Sequence, residues 1–355
     1  MSQVIKRWFR KYFSDPQAVI LAVLLVLGFT VVIFMGKMLA PLLISVVVAY
    51  LLEGLVLLLT KAKVPRSYAV TVVFILFVTF VLFLILGLLP MLSKQVTQLV
   101  QEMPNMVSRG QQALMRLPQK YPNFISPEQV ADIMKGIRSA LGALGQNAVS
   151  WSLASITGII VLGVYLVLVP VLVFFFLKDK DQLITWVTSF LPREREVATQ
   201  VWEEMTQQIG NYVRGKFIEI LIVWVATFIV FALMGMNFAM LLSALVGLSV
   251  IIPYIGAIAV AVPVVLIAYF QWGWGSDFAY LVISYTVIQA LDGNILVPLL
   301  FSEAVNLHPV AIIASVLVFG GVWGFWGVFF AIPLATLVKA VVHAWPRAAD
   351  ELPAQ

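Results

Sequence analysis

Four carboxylates lie in a long stretch of the chain that contains no Lys or Arg. The stretch covers residues 217–338, and its carboxylates are Glu219, Asp277, Asp292 and Glu303. Asp292 stands between two apolar runs, at residues 280–290 and 295–301. A charge near the middle of a bilayer costs about 2.5–3.5 kcal/mol on insertion scales, so carboxylates there usually face a cavity or a pathway. Asp292 is therefore the first candidate for a substrate- or proton-binding residue.

Two amides accompany Asp292, with Gln289 one turn before it and Asn294 two residues after it. The intervening Gly293 and the nearby Pro298 favour irregular backbone. At membrane depth, such backbone is tolerated only where it is buried in protein or lines a water-filled cavity. We predict that Asp292, Gln289 and Asn294 bind a substrate or a proton beside a broken helix at Gly293. The alternative is that Asp292 lies at an interfacial helix end and is hydrogen-bonded locally.

Two further titratable residues are candidates for the same kind of site. Glu53 lies about one turn from the end of an apolar run, where it either reaches water or belongs to an intramembrane site. His308 precedes Pro309 at the start of the last apolar segment. A histidine there can titrate near neutral pH. A proline in the first helical turn is, however, also typical of an ordinary helix start.

The composition argues against metal sites and against an enzyme. The chain has no Cys, which excludes disulfides and thiolate ligands, and only two His, which disfavours a multi-histidine metal site. Residues 210–216 match G-x-x-x-x-G-K, but Phe217 follows, so the hydroxyl that a phosphate-binding loop supplies to Mg²⁺ is missing. No nucleophile and base pair is visible. We therefore expect no metal, no cofactor, no ATP hydrolysis and no enzymatic activity.

The elements that must position these residues are membrane spans. The chain is 62% hydrophobic and 11% charged, whereas soluble domains average about 25% charged residues. This composition predicts an integral membrane protein. The net charge of +5 comes from basic residues beside apolar segments, where they set orientation. We therefore expect no binding to nucleic acid.

Four segments in the first half are long enough to cross about 30 Å of hydrocarbon. They are residues 17–35, 39–59, 68–90 and 151–177. Basic residues precede the first span and follow the second, which places the N-terminus in the cytoplasm. Residues 91–150 then form a polar, amphipathic insert on the periplasmic side, and residues 178–216 form a charged, amphipathic cytoplasmic segment.

The transmembrane core at residues 217–342 contains two overlong apolar segments, 238–270 and 307–342. The first would be roughly 50 Å long as one straight helix. Each segment is either one tilted span or a re-entrant hairpin, and both choices leave the tail at residues 343–355 in the cytoplasm. The residues that can break them are Pro253, Gly256, Pro263, Gly320, Gly321, Gly324, Gly327 and Pro333.

Paired interruptions of this kind mark the substrate site of many transporters. Gly and Pro also produce ordinary kinks in transmembrane helices, which is the alternative interpretation. The two segments share a short sequence pattern, since residues 256–263 and 327–333 both begin with Gly and end in Pro.

Several motifs, taken in their order along the chain, identify a family resemblance. They are Phe-Leu-Lys-Asp at 176–179, Tyr-Val-Arg-Gly at 212–215, Ile-Pro-Tyr-Ile-Gly at 252–256, Asp-Gly-Asn at 292–294, Leu-His-Pro at 307–309 and Ala-Ile-Pro at 331–333. With them the chain resembles the autoinducer-2 exporter family of bacterial permeases, although that family often has Glu where this chain has Asp292. The resemblance implies a homo-oligomeric inner-membrane protein that moves a small solute.

We predict an all-α, polytopic integral membrane protein with about eight membrane-embedded segments. Its expected location is the bacterial inner membrane, with both termini cytoplasmic and the lipid bilayer and a small-molecule or ion substrate as partners. The predicted function is secondary transport of a small polar solute, and the resemblance suggests export of an autoinducer-2-like signalling molecule. The alternatives are a sodium (cation)/proton antiporter and a membrane scaffold that docks partners through its polar regions.

Overall fold

The computed structural model describes residues 16–115, 155–192, 196–253, 255–301 and 307–345, with a few isolated residues between 128 and 139. All elements in these ranges are helical, which confirms the all-α prediction. Several predictions fall on residues outside the described ranges. These are the basic N-terminus, most of the insert beyond residue 115, the start of the span at 151, Glu303, and the tail beyond residue 345.

Helices follow one another along the chain, and two π-helical turns interrupt them without ending them. The helices are α1 Pro16–Lys61, α2 Arg66–Phe83, α3 Leu89–Met115, α4 Ser155–Lys178, α5 Lys180–Ser189, α6 Glu196–Leu233, α7 Ala239–Ser249, α8 Ile255–Trp272, α9 Ser276–Leu291, α10 Val297–Phe301, α11 Pro309–Trp323, α12 Phe325–Phe329 and α13 Ala331–Ala344. The π-helical turn π1 (Leu84–Leu88) joins α2 to α3, and π2 (Asp292–Leu296) joins α9 to α10.

Six stretches in the described ranges are long and apolar enough to cross a membrane, or seven if the bent pair of α4 and α5 is one span. They are Val19–Gly36, Met38–Lys61, Arg66–Gln112, Glu196–Leu233, Ile255–Trp272 and Ser276–Phe301. Shorter apolar helices add Ala239–Ser249, Pro309–Trp323 and Ala331–Ala344. The chain is a polytopic membrane protein, as predicted.

Helix α1 carries the first two spans without a break in its secondary structure. The Gln17 side chain accepts a hydrogen bond from Val197 N at 3.1 Å, and the Tyr50 hydroxyl donates to Thr206 O at 2.7 Å. In a straight α1, Gln17 and Tyr50 would be roughly 50 Å apart, whereas their partners on α6 are separated by roughly 14 Å. Helix α1 is therefore bent, so that both of its spans reach α6.

Helices α7 and α8 form a hairpin. The Gln271 amide, at the end of α8, donates to Gly235 O at 2.8 Å and accepts from Asn237 N at 2.7 Å. Because Gly235 and Asn237 lie just before α7, the pair begins and ends at the same end of the bundle. The break between the two helices contains Pro253, while Pro263 lies inside the continuous α8.

The second overlong segment is divided into three helices. The chain breaks at Gly324, whose φ is 60°, and again at Phe330. Gly320 and Gly321 lie inside α11, and Pro333 lies in the first turn of α13. Helices α11 and α13 have 15 and 14 residues and pack against each other, while a straight span needs about 20 residues. A single tilted helix is therefore not the arrangement here.

The glycines that begin the shared sequence pattern, Gly256 and Gly327, occupy equivalent places in these broken segments. A Cβ atom on Gly256 would overlap the carbonyl oxygen of Ser249, and one on Gly327 would overlap that of Phe319. Each glycine stands in the first turn after a break and lets two backbones meet. The shared pattern therefore corresponds to two close backbone contacts that only glycine permits.

Helix α6 is the central element of the bundle. It packs against α1, α7, α9, α10, π2 and α13. It runs unbroken through residue 216, where the sequence pattern changes from charged to apolar. Residues on both sides of that position are buried, including Tyr212, Gly215, Glu219 and Val223.

Candidate functional site

A buried ion pair lies in the middle of α6. Lys216 Nζ donates to Glu219 Oε2 at 2.7 Å, and the two side chains are only 6% and 2% exposed. The spacing of three residues places both groups on one face of the helix. Lys216 Nζ also lies 5.3 Å from the centroid of the Phe301 ring, which is a favourable position for a cation.

Asp292 is the third charge of this group. Its π-helical turn packs against α6, and both Lys216 and Glu219 are close enough to interact with it electrostatically. Among the described residues, Asp292 Oδ1 is buried and has no hydrogen-bond partner. One ammonium group therefore lies near two carboxylates and is held directly by Glu219 alone.

The backbone at π2 explains how Asp292 reaches this position. Val297 N donates to Asp292 O, a contact of five residues that widens the helical turn by one residue. π-Helical turns of this kind are frequent at functional sites because they re-aim side chains within an otherwise regular helix. Nothing within 4 Å would meet a Cβ atom on Gly293, so this glycine does not serve a close packing contact.

Other buried polar atoms lie on the same helices. Gln289 Nε2, one turn before Asp292, has no hydrogen-bond partner in the described part of the chain, and the same holds for Trp224 Nε1 and Thr227 Oγ1 on α6. Thr227 follows Lys216 by eleven residues, a rotation of only about 20° around the helix axis, so the two side chains lie on the same face of α6. Buried polar groups in proteins are almost always hydrogen-bonded, so such atoms indicate where water, an ion or a solute binds.

Asn294 and His308 serve their own helices. Asn294 Nδ2 donates to Ala290 O at 2.8 Å and is exposed. His308 Nδ1 accepts from Val310 N at 3.2 Å, and Pro309 occupies the first turn of α11. His308 is thus the N-cap of α11, which is the ordinary helix start that Pro309 indicates.

Glu53 belongs to a second group of charges. Arg66 donates from Nη1 to Oε1 at 3.0 Å and from Nη2 to Oε2 at 3.2 Å, and Lys180 Nζ donates to Oε1 at 3.1 Å. Arg66 Nη2 also donates to Leu177 O at 3.1 Å. Glu53 therefore ties α1 to α2 and α5, and Arg66 extends the link to α4.

The Tyr-Val-Arg-Gly motif, just before Lys216 in α6, contacts neighbouring helices. The Tyr212 hydroxyl donates to Phe329 O at 3.2 Å, in α12 of the second broken segment. A Cβ atom on Gly215 would lie 2.7 Å from the Phe301 ring, so glycine allows α10 to approach α6. Arg214 donates to Gly210 O at 3.1 Å and lies 5.9 Å from the Tyr50 ring centroid.

Lys216 is the residue of this group that the sequence does not connect with Asp292. It stands at the end of the charged segment, within reach of Glu219 along the helix. The i, i+3 spacing of Lys216 and Glu219 was visible in the sequence and indicated a pair on one helix face. The proximity of Lys216 to Asp292 had no sequence signal, because it arises from the packing of α6 against π2.

Comparison with known proteins covers nearly the whole chain. Residues 20–347 match the AI-2E family transporters. A protein of Escherichia coli K12 named "Putative permease PerM" is 49% identical over 346 residues, which is 98% of each chain. "Putative transport protein YueF" of Bacillus subtilis is 27% identical and aligns with 87% of this chain and 84% of its own length. These names describe transport and not catalysis, and the chain belongs to the AI-2E transporter family.

Proposed function

We propose that this chain is a secondary transporter that moves a small polar solute across the bacterial inner membrane, driven by an ion gradient and not by ATP. One observation carries the proposal: the buried Asp292 Oδ1 has no hydrogen-bond partner among the described residues, beside the Lys216–Glu219 pair. A charged group without fixed partners inside a membrane protein usually belongs to a substrate or ion pathway.

The proposed coupling step is the protonation of Asp292. With both carboxylates ionised, the group of Lys216, Glu219 and Asp292 carries one positive and two negative charges. A proton on Asp292 makes the group neutral, while Lys216 stays bound to Glu219. A neutral group is less costly to expose to a low-dielectric path than a charged one. Protonation on one side of the membrane and release on the other then links solute movement to the proton gradient.

The solute route is proposed to follow the face of α6 from Lys216 to Thr227. Gln289 Nε2, Trp224 Nε1 and Thr227 Oγ1 provide donors without partners in the described structure. Such donors suit a solute with hydroxyl or carbonyl oxygens. Helix α7 of the α7–α8 hairpin and helix α13 of the broken segment pack against α6, as parts of discontinuous helices do at transporter sites. Export of an autoinducer-2-like molecule is the case that the family resemblance suggests.

Flux measurements in proteoliposomes test this proposal. Uptake of several small polar solutes is measured with and without a pH gradient for the wild type, for Asp292→Asn and for Asp277→Asn. Asp277 is an exposed carboxylate in the first turn of α9 and serves as the matched control. We expect Asp292→Asn to lower gradient-dependent flux at least about tenfold, which corresponds to about 1.4 kcal/mol. Full gradient-dependent flux in Asp292→Asn would disprove the coupling role.

A cation/proton antiporter is the second candidate, because a group with excess negative charge also suits a monovalent cation. The same vesicles separate the two functions. Proton flux that depends on sodium and needs no organic solute identifies an antiporter. Gradient-dependent solute flux that is indifferent to sodium identifies the solute transporter.

The orientation with both termini in the cytoplasm and the homo-oligomeric state stay predictions. The α7–α8 hairpin makes that orientation testable. If α6 runs from the cytoplasm to the outer side, the hairpin returns the chain to the outer side, and Gly275, just before α9, lies there. A Gly275→Cys variant of this cysteine-free chain should then react with a membrane-impermeant maleimide from outside intact cells. Labelling only after the membrane is opened would reverse the orientation.

A further inference from the structure

Helix α5 leaves the membrane span before it at nearly a right angle. The apolar part of α4, Leu162–Lys178, and α5, Lys180–Ser189, meet at 84°. A helix perpendicular to a span runs along the membrane plane. The first residue of α5 is held next to the end of α4. Lys180 donates to Glu53, and Arg66, which also donates to Glu53, donates to Leu177 O.

The side chains of α5 are divided into two faces. The large apolar residues are strongly exposed, with Ile184 at 50%, Trp186 at 62%, Val187 at 52% and Phe190, just past the helix end, at 71%. Trp186 and Phe190 contact each other edge to face with their centroids 5.1 Å apart. The opposite side presents polar residues such as Gln182 and Thr185. This arrangement is typical of helices that lie in a membrane interface, where Trp is enriched.

We propose that α5 is an interfacial helix whose apolar face is inserted into the boundary between lipid headgroups and acyl chains. The continuity of α5 with the membrane span α4 identifies the bilayer as the partner. The charged side chains at the start of α5 balance, with Arg66, Lys178 and Lys180 against Glu53, Asp179 and Asp181. The insertion therefore depends on buried apolar area and not on the charge of the headgroups.

Spin labelling of the full chain in proteoliposomes tests this proposal, since the absence of cysteine allows single-Cys variants. Ile184→Cys and Val187→Cys place a nitroxide on the apolar face, and Gln182→Cys and Thr185→Cys are matched controls on the polar face. Accessibility to oxygen, which partitions into lipid, is compared with accessibility to a water-soluble nickel chelate. We expect labels at 184 and 187 to lie about 5–10 Å below the headgroup level and labels at 182 and 185 to be in water.

Vesicles of phosphatidylcholine alone and of phosphatidylcholine with phosphatidylglycerol should give the same depths. Equal exposure of all four positions to the nickel chelate would overturn the proposal, because α5 would then be free in water. Deep insertion of all four would also overturn it, since α5 would then be half of a broken span. Labels at 184 and 187 that neither reagent reaches would overturn it as well, because protein instead of lipid would then cover this face.

Discussion

The carboxylates of Glu53 and Asp292 both lie on membrane helices, yet their surroundings differ in every respect that decides their role. Both Glu53 oxygens are bound, by cations from two other helices whose side chains are 36% and 41% exposed. Asp292 interacts with one cation, Lys216, that Glu219 already holds and that is 6% exposed. The Glu53 group joins three helices near water, whereas the Lys216–Glu219 pair beside Asp292 is buried.

Under the proposed function, this difference separates a structural carboxylate from a functional one. Both oxygens of Glu53 are already bound by side chains, so neither is open to a solute. Asp292 keeps an oxygen without a partner in the described structure. By sequence, both are candidate site residues, because each is a carboxylate in an apolar environment. The structure distinguishes them by which side chains lie close enough to bind their oxygens.

The largest effect is expected from Lys216→Met, which removes the one cation of the Asp292 group. Two buried carboxylates then lack a positive partner, and breaking a buried ion pair from one side costs about 3–5 kcal/mol. Thermal unfolding in detergent measures this loss of stability. The double variant Lys216→Met/Glu219→Gln should regain most of the stability but not the flux. Wild-type stability in the single variant would show that Lys216 does not stabilise these carboxylates.

A smaller effect is expected from Glu53→Gln. It leaves Arg66 and Lys180 near each other without their anion, and losing hydrogen bonds to a charged group costs about 1–3 kcal/mol. Unfolding measurements should show this loss, while Glu203→Gln, at an exposed carboxylate of α6, should show none. Flux in Glu53→Gln should still depend on the pH gradient. If that dependence disappears while the protein stays folded, Glu53 belongs to the proton path and the comparison fails.

A third variant, Gln289→Leu, sharpens the comparison because stability and transport should change in different directions. Nε2 of Gln289 is buried without a partner in the described part of the chain, so its removal should leave stability unchanged or raise it by up to about 1 kcal/mol. The KM for a transported solute should rise, because a donor is lost from the route. Reduced stability with an unchanged KM would mean that Gln289 is a packing residue.

The smallest effect is expected from Asn294→Ala. The Asn294 side chain is exposed, and within the described part of the chain it bonds only to the backbone of its own helix, so the change in stability should stay within about 0.5 kcal/mol. Flux and its gradient dependence should equal those of the wild type. A clear loss of flux would mean that Asn294 takes part in transport together with Asp292, so that the site includes the exposed side of π2.

Much of the fold was predictable, because it depends on local composition. Runs of about 20 apolar residues predict spans, and the structure has candidate spans at most of the positions expected, including both halves of α1. The broken segments were also located, and the break at Gly324 falls on one of the residues expected to cause it. Pro263 instead remains inside α8, because packing against neighbouring helices can support a proline within a transmembrane helix.

The sequence by itself determined the helical class, the membrane environment, the family resemblance and the rank of Asp292 among the carboxylates. Each follows from residue type and short-range spacing. Only the tertiary structure decided that Lys216 lies near Asp292, that Glu53 is bound by Arg66 and Lys180, and that Gln271 closes α7 and α8 into a hairpin. The physical reason is that these contacts join residues far apart in the chain, and helical periodicity carries no information about which faces of different helices meet.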